Sequence, residues 1–317
     1  MANFLKFIFF PFFVLALHAE EIKDVEEFIG AVLNDSGKYP KRLLELGATN
    51  TNYEVVKEGK SYFFRLSANL LKELYANQEI EYRVLKELEK KGIVPCPYFF
   101  DPKRGILITE YIDHDGVAVD LLDPDVQKVV CEILKSIERD KIELQRTFDP
   151  YQDILALIKK ASTPLPIGVG ESVLPTLKKI SEQLDKYPKK TLCHLDLHHK
   201  NILQKGDSLF LIDWEYAAMS HPYHTLASMA SIERWSDEQM WQILGNYTLN
   251  PTIEDRECLY LYRIISDLFW AVWCHIQMEN PSTNSPYTEW RDLFSEAAKE
   301  RIRQFEKDLK QTEIVCA

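Results

Sequence analysis

The stretch 191–216, TLCHLDLHHKNILQKGDSLFLIDWEY, constrains this chain more than any other. It contains two short strand-like runs, Asn201-Ile202-Leu203 and the apolar Leu209-Phe210-Leu211-Ile212, separated by the turn residues Lys205, Gly206 and Asp207. Runs of that length around a Gly-containing turn read as a β-hairpin. Polar residues flank the outer ends: His194, Asp196 and Asn201 on one side, Asp213 and Glu215 on the other. A hairpin returns its two ends to the same place. The fold therefore has to gather Asp196, Asn201 and Asp213, two carboxylates and an amide oxygen, in one small volume.

Phosphoryl transfer needs such a group. One carboxylate orients or accepts the proton of the attacking hydroxyl, while a second carboxylate and an Asn hold the magnesium ions that bridge nucleotide phosphates. Asp196 and Asn201 follow the spacing H-x-D-x-x-x-x-N, and Asp213 stands where the metal-binding Asp of kinases follows. The plain alternative is a surface loop with scattered acids beside a core strand; I-D-W-E at the expected distance argues against it.

HLDLHHKNIL followed by LFLIDWEY resembles the aminoglycoside phosphotransferase and choline kinase superfamily, most of all its bacterial choline kinases. The D-F-G of protein kinases is absent. The resemblance implies an α+β, two-lobed, protein-kinase-like fold: a small N-terminal antiparallel sheet plus helix, and a larger, mainly helical C-terminal lobe. ATP and Mg2+ would lie between them. By the same resemblance Asp196 is catalytic, His194 braces its loop, and Asn201 and Asp213 bind the metal. The implied organisation is an apolar segment 1–19, an ATP-binding lobe 20–112 and a catalytic and substrate lobe 113–317.

The chain of 317 residues is long enough for such an enzyme, and its 46% hydrophobic and 27% charged content is that of an ordinary globular protein. A net charge of -11 argues against a nucleic-acid partner, which would require a basic face, and suits a small cationic substrate. Six scattered cysteines without a C-x-x-C pair read as reduced thiols. Phe4 to Leu17 is almost wholly apolar, interrupted by Lys6. It is short for a membrane span and similar to a signal peptide. Export would separate the enzyme from ATP, so a cytoplasmic protein is expected, with the segment as a weak membrane anchor, a mis-assigned start or a true signal. No motif speaks to the oligomeric state.

Along the chain, Glu20 to Leu33 has a helical period. Tyr53–Val56 and Ser61–Leu66 read as a hairpin turning at Glu58-Gly59-Lys60. The superfamily pattern G-G-x-T-N, strand, V-x-R is met at Gly47, Thr49, Asn50 and Arg65, with one glycine missing. It assigns Asn50 and Arg65 to the nucleotide phosphates, and an Arg fork suits phosphate oxygens. Leu70 to Lys91 reads as a long helix with Glu81, Leu85 and Leu88 on one face. A carboxylate in line with an apolar stripe needs a partner; Glu81 is paired with Arg65, with Glu79 as the second choice. Tyr98–Asp101 and Gly105–Ile112 are strands, and the resemblance makes Glu110 to Ile112 the hinge that meets adenine. Leu121–Arg146, Tyr151–Lys160 and Val173–Tyr187 read as helices. Thr225 stands where the superfamily has an Asp that braces the catalytic loop, which predicts a looser loop.

Trp270 and Trp273 share a helix face, with Asp267 one turn earlier. A quaternary ammonium donates no hydrogen bond and is held by aromatic faces, at roughly 0.5–2 kcal/mol per ring. The D-x-x-W-x-x-W stretch resembles that of bacterial choline kinases. It implies a substrate site of Tyr216, Glu215, Asp267, Trp270 and Trp273 for a choline-like alcohol, with ethanolamine, thiamine or an aminoglycoside as substrates within the same chemistry; the other reading, to which Thr225 and the missing loop glycine point, is a non-catalytic kinase-like binding protein. His198, His199 and His224 read as ordinary polar residues.

Overall fold

The computed structural model describes residues 41–46, 50–67, 77–114, 118–279 and 286–316. The expectations for residues 1–33, for Gly47 and Thr49, and for the first turns of the helix begun at Leu70 lie outside the described residues.

Five strands make one antiparallel sheet: β1 (Lys41–Leu46), β2 (Asn50–Lys57), β3 (Lys60–Ser67), β4 (Pro97–Asp101) and β5 (Ile106–Glu110), in the order β1-β2-β3-β5-β4. β2 and β3 are joined by Glu58 and Gly59, both at positive φ (52° and 76°). This is the two-residue turn whose twist suits a hairpin. Alternate residues of these strands cover one apolar face, where Tyr53, Val55, Phe64, Ile106 and Ile108 cluster.

Helix α1 (Gln78–Leu88) starts at Asn77, whose side chain accepts the Glu79 and Ile80 N–H groups. It buries Glu81, Val84, Leu85 and Leu88, the face its spacing requires. The Asn77 N–H also donates to the Glu215 carbonyl at 2.7 Å, so the N-terminus of α1 is tied to the start of the larger lobe's acidic turn.

The larger lobe is mainly helical: α2 (Pro124–Arg139), α3 (Pro150–Lys160), α4 (Leu174–Leu184), α5 (Pro222–Ile232), α6 (Asp237–Tyr247), α7 (Ile253–Met278) and α8 (Tyr287–Cys316). Two small antiparallel pairs interrupt it. β6 (Thr191–Cys193) pairs with β9 (Ala218–Ser220), and β7 (Ile202–Lys205) with β8 (Ser208–Leu211) through Gly206-Asp207.

The helix expected over Leu121–Arg146 ends at Arg139. Lys141 turns the chain at φ 52°, and the next residues run beside β9. There the Arg146 carbonyl accepts from Met219 at 2.9 Å and the Phe148 N–H donates to the Met219 carbonyl at 3.0 Å. Those inter-strand bonds satisfy the backbone that a longer helix would have satisfied internally. The regular part of the helix expected over Val173–Tyr187 is likewise shorter, Leu174–Leu184. Cys96, Cys131, Cys193, Cys258 and Cys274 are free thiols. Among the described residues no helix is long and apolar enough to cross a membrane.

Candidate active site

A cavity of about 360 Å³ lies between the sheet and the β7–β8 hairpin. Its lining includes Asn50, Arg65, Glu81, Glu110, Ile112, Asn201 and Asp213 from the residues singled out above. It also includes Asn52, His114 and Lys200, which the sequence reading passed over. Asn52 was legible, because it sits two residues from Asn50 on the same strand face. Lys200 adjoins Asn201 in sequence and adds a cation to the cavity lining.

The upper wall is built by β3 and α1. Arg65 is buried (4% exposed) and forms a forked pair with Glu81, Nη1 donating to Oε1 at 3.0 Å and Nη2 to Oε2. The register of α1 places Glu81 inward and leaves Glu79 exposed at the helix start, so Glu81 is the partner. Arg65 Nη1 also reaches Asp213 Oδ1 at 3.2 Å. Burial pushes the Glu81 carboxyl up, opposed by Arg65. Burial works against the Arg65 charge too, but Glu81 and Asp213 outweigh it and the guanidinium stays protonated. The Arg65 Nε and the Oδ1 atoms of Asn50 and Asn52 are buried without a hydrogen-bond partner. A donor and two acceptors thus stand unsatisfied at this wall, each costing stability unless a ligand or water meets it.

The floor is the hairpin. The Ile212 N–H donates to the Asn201 carbonyl at 3.0 Å, closing the hairpin's open end. Asn201 Nδ2 donates to the Asp196 carbonyl at 2.8 Å and to its Oδ2 at 3.4 Å. Asp213 follows β8 in the left-handed region, φ 64° and ψ 58°. Asp196, Asn201 and Asp213 are brought together, and Arg65 joins them from the sheet.

Two backbone positions here are strained. Asp tolerates the left-handed conformation of Asp213, but Leu195, at φ 65°, is a bulky residue in a conformation that costs about 1–3 kcal/mol. Its neighbour His194 is fully buried. The Asp196 N–H donates to His194 Nδ1 at 3.3 Å, which leaves Nε2 to donate to the Ile212 carbonyl at 2.8 Å. Burial lowers the His194 pKa to about 4, so the ring is neutral and holds the loop to the hairpin without moving protons. Thr225 does meet the loop despite the missing carboxylate: its Oγ1 accepts the His194 N–H at 3.3 Å.

The acids crowd one another. Burial and then the Asp213 charge push Asp196 well above an ordinary Asp. Burial, then Asp213, do the same for Glu215. Oxygens of Glu81, Asp213 and Glu215 lie within 4.8 Å of one another. Glu215, expected on the substrate side, therefore belongs to the acidic cluster facing Arg65. A hard divalent cation fits this donor set of carboxylate and amide oxygens. With Asn201 Nδ2 committed to Asp196, its amide oxygen is the atom left for a metal, beside Asp213.

The aromatic residues form a buried row. Tyr216 and Trp270 stand 5.6 Å apart, Trp270 and Trp273 5.5 Å, and Trp273 and Tyr287 of α8 5.6 Å. Burial, followed by the charges of Glu215, Asp196 and Asp213, pushes the Tyr216 phenol up. Tyr216 and Trp270 line only a small void of about 10 Å³, close to the lower limit for one water. Tyr287 was not anticipated; its helix begins far along the chain, and no local spacing connects it to Trp273.

Asp267 does not join this row. It is fully buried, accepts from Ser231 Oγ and from Arg263 Nε at 3.1 Å, and lies 3.3 Å from Arg301 Nε. Two guanidinium groups balance its charge, so it locks α5, α7 and α8 together and has none to offer a substrate. The histidines also depart from expectation: His198, His199 and Glu233 bring potential ligand atoms within 4.8 Å of one another, and Glu233 Oε1 accepts from both His199 N–H and Nδ1 at 2.7 Å.

Comparison with known proteins fits this geometry. The fold is similar to that of choline kinase LicA from Streptococcus pneumoniae (TM-score 0.76, 23% identity, 90% of this chain and 99% of that one). It is also similar to a choline/ethanolamine kinase family protein from Mesorhizobium loti (TM-score 0.74, 20% identity, 89% and 94%). In sequence, Protein LicA of Haemophilus influenzae is 20% identical over 254 residues, 76% of this chain and 74% of that protein. The model of the phosphotransferase enzyme family matches residues 42–262, from the first strand of the sheet into α7. That span holds the forked Arg65–Glu81 pair, the loop carrying Asp196 and the acidic turn, and the chain belongs to the phosphotransferase enzyme family.

Proposed function

We propose that this chain transfers the terminal phosphoryl group of ATP to the hydroxyl of choline or a close amino alcohol. The observation that carries the reading is the convergence of Asn201 and Asp213 with Arg65 at one cavity wall, with Asp196 hydrogen-bonded to Asn201 directly behind it. Asp196 takes the proton of the acceptor hydroxyl as its oxygen bonds to the terminal phosphorus and the bond from that phosphorus to the bridging ADP oxygen breaks. Its raised proton affinity makes it a better base than an ordinary Asp. Arg65, kept charged and aimed by Glu81, faces phosphate oxygens, and the backbone of Glu110 to Ile112 meets the adenine. Asn201 and Asp213 would hold magnesium, which supplies charge neutralisation to the phosphates. Tyr216, Trp270 and Trp273 are the proposed seat for the cationic head, supported by the row of rings that starts at Tyr216 beside the acids and by the choline kinases of similar fold. The void beside Tyr216 and Trp270 is too small for a trimethylammonium group, so this reading requires the rings to part when substrate enters.

An ADP-coupled assay with choline, ethanolamine, thiamine and an aminoglycoside tests the reading. Choline or ethanolamine should give the highest kcat/KM, and Asp196→Asn should lower kcat by about 10²–10⁴-fold. Full choline-dependent ADP formation by Asp196→Asn would refute the assigned role.

A further inference from the structure

The loop carrying Asp196 is gripped from outside the cavity by a single helix. Three consecutive contacts run from α5 and its C-cap, Glu233, to the backbone of residues 194–199. Thr225 Oγ1 accepts the His194 N–H at 3.3 Å, Ser228 Oγ donates to the Leu195 carbonyl at 2.5 Å, and Glu233 Oε1 accepts the His199 N–H at 2.7 Å. Thr225 and Ser228 are neighbours on one helix face by their i, i+3 spacing, and both are buried. Glu233 is held in turn by His199 Nδ1. The contacts bracket Leu195, the residue in the left-handed conformation, and leave the Asp196 carboxylate facing Asn201 on the other side.

We propose that Thr225, Ser228 and Glu233 are positioning residues that hold the 194–199 backbone in the one conformation that aims Asp196, and so set kcat without contributing to substrate affinity. This rests on the reading of Asp196 as the carboxylate that takes the hydroxyl proton. The physical reason is that Leu195 relaxes toward ordinary φ unless its flanking peptide groups are tied. A small turn there re-aims the next side chain, and a misplacement on the order of 1 Å costs about a hundredfold in rate.

Thr225→Val, Ser228→Ala and Glu233→Ala in the full chain, with Thr225→Ser and Glu233→Gln as conservative variants, make the test. Amide hydrogen exchange across 194–199 and steady-state kinetics with magnesium-ATP and choline are the readouts. Exchange at the His194 and His199 amides should quicken while protection in α7 is kept. kcat should fall by about ten- to a hundredfold with both KM values held within about twofold. The conservative variants should recover most of the rate. A loosened loop with unchanged kcat, or a rise in KM that accounts for the loss, would overturn the proposal. Glu233 is partly exposed, so Glu233→Ala folds even where a buried change does not, and full kcat in that variant is equally fatal. Failure of the unaltered chain to form ADP with any acceptor would instead overturn the phosphotransferase reading; the exchange comparison, which needs no substrate, still decides whether α5 holds the loop.

Discussion

Replacing Arg65 by Met should cost far more stability than replacing Glu81 by Gln, although the two side chains form one ion pair. The asymmetry follows from the count of charges around them. Glu81, Asp213 and Glu215 approach within 4.8 Å of one another, and Arg65 is the cation that bonds both Glu81 and Asp213. At an effective dielectric of about 20, each like-charge pair at that distance repels by at least about 3.5 kcal/mol. Without Arg65 the acids must protonate or move apart, and stripping a buried cluster of its counter-charge costs about 3–5 kcal/mol. Glu81→Gln is different. An amide oxygen still accepts from Arg65, Asp213 already stands at 3.2 Å to keep the guanidinium paired, and one repulsive acid is gone. The expected loss is about 1 kcal/mol. Urea unfolding followed by tryptophan fluorescence in EDTA measures both. Magnesium should recover part of the loss in Arg65→Met, since the acids then lack their own cation. Equal destabilisation of the two variants, or a larger loss in Glu81→Gln, would refute the charge argument.

Other outcomes follow from the same geometry. Trp270→Ala should raise the KM for choline by about tenfold, the loss of one cation–π face and its contact area, and leave the KM for ATP unchanged; equal effects on both would remove the aromatic seat. Asp267→Asn should lower unfolding stability by about 3–5 kcal/mol, because Arg263 and Arg301 lose a shared buried counter-ion. Its KM for choline should not move, and a selective rise would return Asp267 to the substrate site. His221 and His224 titrate in the unfolded chain near 6.5, but burial lowers them to about 4 and about 3 in the fold. The unfolded state therefore binds more protons as pH falls below 6.5, and stability falls with it, by about 2 kcal/mol per histidine between pH 7 and pH 5. Denaturation at several pH values should show this slope, and His224→Gln should flatten it.

The residues proposed for catalysis and metal binding were legible because they are neighbours along the chain. His194, Asp196, Asn201 and Asp213 span one hairpin, and a two-residue turn leaves little choice about where its ends meet. Glu81 was legible for a related reason: helical spacing aligned a carboxylate with Leu85 and Leu88, and such a carboxylate needs a cation. The same logic misled at Asp267. Spacing placed it one turn from Trp270, but its charge was already balanced by Arg263 on its own helix and by Arg301 across on α8. The helix expected through Arg146 ended early because β9 offered the backbone other partners.

The amino-acid order by itself determined the hairpins, the inward face of α1 and the polar groups that meet at the hairpin's open end, since each depends on contacts a few residues apart. Tertiary structure alone decided which buried acids receive a counter-ion, that Tyr287 extends the aromatic row, and that α5 supports the strained Leu195. Those outcomes depend on segments that meet only when the helices pack, and a one-dimensional pattern carries no record of which charge will find which partner.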